Sequence, residues 1–207
     1  MTANRILRHA LPDRLFHWLT AISVLSLLAT AFLPILGLKF ASVAPHWIAG
    51  LVLTLAVLFH LSRALRWRRL RDMWIGAADL RDAAAFMRWN LRRPGASYPK
   101  PGKYSLAQKL FHHLILTVVL TAIASGLMMM VRIDTPLWQR NPYWLAERTW
   151  GIVYVLHGLA ALCLVTLIMI HIYFALRPDK LFYTRSMLKG WITAEEKQAH
   201  HDAARWQ

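Results

Sequence analysis

The sequence predicts an all-α membrane protein, a bundle of four transmembrane helices, and three observations carry that prediction. The 207 residues are 57% hydrophobic, with a mean hydropathy of +0.36, too apolar for an ordinary soluble domain. The apolar residues gather into four runs, 15–37, 46–65, 106–131 and 151–176, each near the ~20 residues an α-helix needs to cross the hydrocarbon core. Helices follow because a backbone exposed to lipid must satisfy its own hydrogen bonds. Finally, 25 Lys and Arg stand against 10 Asp and Glu, and the cations crowd into alternate loops. A nucleic-acid binder is also basic, but it does not carry four apolar runs, so no nucleic-acid partner is expected.

Along the chain, the N-terminus brings Arg5, Arg8 and Arg14 to the first span. That span opens with RLFHW; a histidine at its start, and no clear small-residue cleavage site after it, argue against a cleavable signal peptide. Only Lys39 lies between spans one and two. The loop 66–105 and its approach hold Arg63, Arg66, Arg68, Arg69, Arg71, Arg81, Arg88, Arg92, Arg93, Lys100 and Lys103. Within it, Met73–Trp89 mixes Trp74, Ile75, Leu80, Phe86 and Met87 with Asp and Arg. Two readings stand: an amphipathic helix on the membrane surface, or a solvated basic linker before the turn-rich RRPGASYPKPGK. Between spans three and four, Arg132, Arg140 and Arg148 are partly offset by Asp134 and Glu147, and the tail 177–207 carries Arg177, Lys180, Arg185, Lys189 and Lys197. The positive-inside bias places both termini and the middle loop in the cytoplasm. Trp138, Tyr143, Trp144 and Trp150 are then expected in an outer aromatic belt, and Trp18, Trp67 and Tyr173 in an inner one. There is no repeat or low-complexity tract, and residues 1–207 read as a single transmembrane domain.

The histidines set the chemistry. In HGLAALCLVTLIMIH, His157 and His171 are fourteen residues apart in the fourth span. Fourteen steps of ~100° fall about 40° short of four turns, so both look out of nearly one face, about 21 Å apart along the axis. Ionisable residues in a span are costly and usually face the bundle interior to do something there. Neutral imidazole is a common axial ligand of haem iron, and two on one face at this distance suit two haems stacked across a bilayer. Each needs a second ligand at matching depth. PHWIAG puts His46 at the outer end of span two, opposite His157; RLFHW puts His17 at the inner end of span one, level with His171. His60 repeats the fourteen-residue spacing after His46, so spacing leaves His17 and His60 as equal candidates for the inner haem. His112 and His113 are further inner-side candidates.

Plainer roles stand beside these. A lone intramembrane histidine is often only an interhelical hydrogen-bonding group. His9, His200 and His201 lie outside the spans and are expected to be solvated, and the methionines 128–130 to face lipid or pack. A shared zinc ion is not expected, because the best-placed histidines are too far apart along the axis. The single cysteine, Cys163, excludes a disulfide within the chain, a Cys-rich metal centre and the C-x-x-C-H attachment of covalent haem.

The order RLFHW, PHWIAG, GKYSLAQK and HGLAALCLVTLIMIH resembles the cytochrome b (gamma) subunit of membrane-bound respiratory formate dehydrogenases, with cytochrome b subunits of related molybdenum enzymes and membrane hydrogenases as wider relatives. The likeness covers nearly the whole chain. It implies four transmembrane helices in the bacterial inner membrane, two b-type haems, and ligands at His17, His46, His157 and His171, with His17 preferred over His60. It also implies a cytoplasmic-side pocket for menaquinone or ubiquinone at Lys103, Tyr104, Ser105, Ala107, Gln108 and His171; Ser105 and Ala107 stand where the formate dehydrogenase pattern has Asn and Gly. The implied partners are an iron–sulfur subunit and a catalytic subunit of molybdenum type. The implied function is an electron relay between that outer-face assembly and quinone. Alternatives are a stand-alone di-haem quinone reductase, a quinol-oxidising cytochrome b of a thiosulfate-reductase-like or hydrogenase complex, and a transporter with histidine proton relays.

Overall fold

The computed structural model describes residues 4–66, 72–95 and 99–206. Trp67, Arg68, Arg69 and Arg71, counted above toward the inner belt and the basic loop, lie outside the described residues, as do positions 96–98 of the turn-rich stretch.

Four long helices carry the apolar runs: α1 (Leu11–Phe32), α2 (Val43–Arg66), α4 (Leu106–Met130) and α5 (Glu147–Leu176). All four are long and apolar enough to cross a membrane. Their ends depart from the apolar runs for local reasons. Helix α1 starts four residues early because Pro12 fits a first turn, where its missing N–H costs nothing, and Asp13 meets the positive helix end. It stops at Phe32, ahead of Pro34; the chain then turns through Gly37, which holds the left-handed φ of +98°, and Leu38 N–H bonds the Leu33 carbonyl at 3.0 Å. Helix α2 likewise takes Pro45 into its first turn.

Packing divides the chain into two compact units, one of residues 15–61 and 115–174, the other of residues 1–14, 62–114 and 175–207. The first is the helical bundle. Its core is a layer with one buried residue from each long helix: Val24 of α1, Leu53 of α2, Val119 of α4 and Leu164 of α5. The outward side chains are apolar too, with Leu25, Leu55 and Leu162 more than half exposed. A unit with a dry core and an apolar exterior is matched to lipid rather than water. The chain is a multi-pass membrane protein. Tyr143 and Trp144 are exposed, as an aromatic belt requires, but Trp150 is fully buried. It lies within the first turns of α5, where its indole N–H donates to the Pro142 carbonyl at 3.0 Å and the Arg132 guanidinium covers the ring. Trp150 is thus a packing residue.

The second unit contains elements the apolar pattern did not announce. Helix α3 (Ala77–Asn90) occupies most of Met73–Trp89, which settles that stretch as a helix. Its Asp79 is buried, accepts from Gly76 N–H at 2.9 Å and pairs with Lys109 at 2.9 Å; Asp82 holds Arg205 through two bonds of 2.8 and 3.0 Å. Trp74, Leu80, Met87 and Trp89 remain exposed. Two three-residue strands, β1 (Arg5–Leu7) and β2 (Trp191–Thr193), pair antiparallel with Ile6 opposite Ile192, and Ile192 is fully buried. Strand β2 sits between α6 (Leu181–Lys189) and α7 (Ala194–His200). Gly190, the left-handed cap of α6 at φ +90°, offers its carbonyl to the Arg8 and His9 N–H groups.

At the centre of this clasp lies His201, only 2% exposed, contrary to the expectation that it is solvated. Its Nδ1–H donates to the Gly102 carbonyl at 2.7 Å, and its Nε2 accepts from the buried Arg8 guanidinium at 3.1 Å. The Tyr183 hydroxyl lies 3.2 Å from the same nitrogen. Arg8 also donates to the Lys103 carbonyl at 2.8 Å and stacks on Tyr183. Hydropathy cannot see this because every participant is polar or aromatic. Gly102 is obligatory here: a Cβ on it would stand 2.6 Å from the Arg205 carbonyl oxygen.

Burial pushes the His201 imidazolium down to about 4, against the opposing pull of the Gly102 carbonyl and with help from Arg8. A histidine held neutral in the folded state contributes stability that is present above its unfolded pKa of ~6.5 and lost as pH falls toward 4, at most about 3 kcal/mol. Thermal unfolding in mild detergent should therefore show stability falling between pH 6.5 and 4. His201→Gln should flatten that slope while lowering stability at pH 7.

Candidate functional site

The bundle unit brings the four expected histidines together in two pairs. His17 of α1 and His171 of α5 have ring centres 6.1 Å apart; His46 of α2 and His157 of α5 have theirs 6.2 Å apart. Helical geometry makes the pairs meet. His157, Leu164 and His171 follow at intervals of seven, nearly two turns each, so α5 presents imidazole, core leucine and imidazole along one stripe. On the neighbouring helices Val24 is seven residues after His17, and Leu53 seven after His46. The apolar core layer therefore lies midway between the pairs.

His60, the rival to His17, is turned elsewhere: its ring stacks on Phe16 with centroids 4.0 Å apart and planes 11° from parallel. His112 and His113, in the second unit, meet edge to face at 5.8 Å, and His113 Nδ1 bonds the Lys109 carbonyl at 2.7 Å. Among the described residues, no three His, Cys, Asp or Glu side chains gather as a metal cluster.

The pair geometry can be tested against haem iron. An iron taking one nitrogen from each of two imidazoles at about 2 Å sets the ring centres roughly 6.4 Å apart. A direct N–H···N hydrogen bond would draw them to roughly 5.2 Å. Separations of 6.1 and 6.2 Å fit the first arrangement and are too wide for the second. His17, His46 and His157 are partly buried and His171 is exposed. The His17 Nδ1 is a buried nitrogen with no hydrogen-bond partner.

The two pairs are held differently. His46 Nδ1 lies 2.9 Å from the Thr30 hydroxyl, and His157 Nδ1 lies 3.0 Å from the Ser125 hydroxyl. Beside Ser125, Gly126 leaves room for the ring: a Cβ there would stand 3.1 Å from His157 Cε1. None of these three residues was singled out in the sequence, where a small polar residue in an apolar helix raises no demand its own backbone cannot meet.

In the second unit, Ser105 and Gln108 form a reciprocal cap on α4: Ser105 N–H donates to Gln108 Oε1 at 2.9 Å, and Gln108 N–H to Ser105 Oγ at 3.3 Å. This S-x-x-Q arrangement is a helix-start signature, and it explains two residues of GKYSLAQK without a ligand. Lys103 and Tyr104 are partly buried, while Ala107 and Gln108 are exposed.

Comparison with known proteins decides the family. The model of the prokaryotic cytochrome b561 family matches residues 8–190. The chain belongs to the prokaryotic cytochrome b561 family. The formate dehydrogenase cytochrome b556 subunit of Haemophilus influenzae is 26% identical, over 98% of this chain and 82% of its own. The formate dehydrogenase cytochrome b556(fdo) subunit of Escherichia coli K12 is 24% identical, over 98% of this chain and 92% of its own. As a member of the cytochrome b561 family the chain is a membrane cytochrome b, an electron-transfer protein that carries b-type haem. The helical bundle and its depth-separated imidazoles agree with that membership.

The close approach at Gly126 yields a direct test. Gly126→Ala should displace the His157 ring and lower the haem-to-protein ratio of the purified cytochrome. Gly158→Ala, at a position with open space around it, should leave that ratio unchanged; both are read from the pyridine haemochrome spectrum.

Proposed function

We propose that this cytochrome b holds two haems, on His46–His157 and on His17–His171, and anchors a respiratory oxidoreductase complex to the membrane. It relays electrons between an iron–sulfur and catalytic assembly of formate dehydrogenase type, with molybdenum in the catalytic subunit, and the quinone pool. The observation that carries this reading is the occurrence of two imidazole pairs, each at the separation an iron atom needs, on either side of one apolar layer. The names of the relatives, subunits of formate dehydrogenase, support the complex.

Haem supplies one-electron redox chemistry; the chain supplies ligation, spacing and a dry path. The stacking of His60 on Phe16 favours His17 as the partner of His171. Charge asymmetry puts the His46–His157 end on the outer side, so electrons enter there, pass to the His17–His171 end and leave to quinone. The resemblance supports a quinone pocket that uses Lys103, Tyr104, Ser105, Ala107 and Gln108. With quinone taking its protons from the cytoplasm, the transfer builds a membrane potential.

Three outcomes follow. The protein purified in mild detergent should bring an iron–sulfur protein and a larger catalytic subunit with it, and acidified organic solvent should extract two haems per chain; a lone polypeptide with full quinone reductase activity would point to a stand-alone enzyme. His17→Ala should remove one haem and spare the other, whereas His60→Ala should keep both, as judged by reduced-minus-oxidised spectra; the reverse pattern transfers the ligand role to His60. Gln108→Glu keeps the helix cap, since Glu serves that position equally, but removes the amide donor. It should keep both haem spectra and slow reoxidation by a soluble quinone about tenfold, the loss of one hydrogen bond of roughly 1.4 kcal/mol. Unchanged kinetics would leave Gln108 as a helix cap alone.

A further inference from the structure

The His46 and His157 rings rest on two cradles of the same design, one on α1 and one on α4. The Thr30 hydroxyl lies 2.7 Å from the Ser26 carbonyl and 3.0 Å from that of Leu27. The Ser125 hydroxyl lies 2.6 Å from the Thr121 carbonyl and 3.3 Å from that of Ala122. A hydroxyl has one proton and two lone pairs. In both cradles the proton is committed to a backbone carbonyl four residues back, the shorter contact in each case. The oxygen can then only accept from the imidazole nitrogen 2.9 or 3.0 Å away. Each imidazole therefore carries its proton on Nδ1, which leaves the Nε2 lone pair to serve as the ligand.

From this we infer that Thr30 and Ser125 are positioning residues for the iron site of the His46–His157 pair, each fixing the tautomer and rotation of a ligand imidazole and raising its basicity. The inference rests on the proposed ligation of haem by this pair. An acceptor on the Nδ1–H gives the imidazole more anionic character, strengthens its bond to ferric iron and lowers the reduction potential. The His17–His171 pair lacks the device at least on one side, since His17 Nδ1 has no partner. The two cradles also stand on helices other than those bearing the ligands, so α1 and α4 join α2 and α5 in defining one metal site.

The test is a spectroelectrochemical titration of the purified holo-complex, with the titration step of this pair identified as the one absent from His46→Ala. Thr30→Val and Ser125→Ala should each shift that step to higher potential and leave the other step in place. Thr30→Ser and Ser125→Thr, which keep the hydroxyl, should titrate as the wild type. Should Thr30→Val or Ser125→Ala lose that haem altogether, its retention in the hydroxyl-bearing counterpart supports the inference equally. Loss of haem in both members of a set marks a packing role and overturns it. Full haem content with both steps unmoved also overturns it. If His46→Ala keeps both steps, the ligation by this pair is wrong, and the positioning role goes with it.

Discussion

A polar side chain inside a lipid-facing helix has no water to turn to, and the bundle is organised by that constraint. Imidazole is the most demanding group in these four helices, since each ring has one nitrogen that donates and one that accepts. The bundle meets the demand by bringing rings together at a spacing too wide for a hydrogen bond and by closing the back of the His46–His157 pair with hydroxyls. The seven-residue register of α5 makes this possible, because it returns a side chain to the same face every two turns. An apolar residue fills the intermediate position on each helix, so an apolar layer separates the two pairs.

The bundle was legible because its signals are of long range and simple kind. A twenty-residue apolar run and a fourteen-residue histidine spacing survive any detail of packing. Spacing could not choose between His17 and His60, because both lie at suitable depth; only the fold shows the His60 ring stacked on Phe16 and the His17 ring beside that of His171. Trp150 was misjudged for a related reason. Tryptophan near a helix end suits a membrane interface, and only the fold of the preceding loop, which brings the Pro142 carbonyl to its indole, shows that it is enclosed. Thr30, Ser125 and Gly126 were silent because their importance lies in what approaches them.

The clasp formed by β1, the 101–104 segment and the tail was invisible for a different reason. Its elements are three to nine residues long, and its centre is an Arg–His–Tyr group whose histidine the sequence assigns to water. Yet Arg8 and His201 together bind the carbonyls of Gly102 and Lys103, two consecutive peptides just ahead of α4. A segment with neither helix nor strand of its own is thereby fixed by side chains from both ends of the chain. The same segment carries the residues that the family resemblance links to quinone, so a rigid backbone there is a precondition for any selective contact.

The distance between His157 and His171 has an electrical meaning. Their fourteen-residue separation along α5 is about 21 Å, roughly two-thirds of a ~30 Å hydrocarbon core, the layer across which most of the membrane voltage falls. An electron passing from one pair to the other under the proposed function therefore crosses about two-thirds of that voltage, which at 100 mV amounts to roughly 1.5 kcal/mol. The helix register that places two imidazoles on one face thus also sets how strongly the membrane field can hold back, or drive, the electron between them.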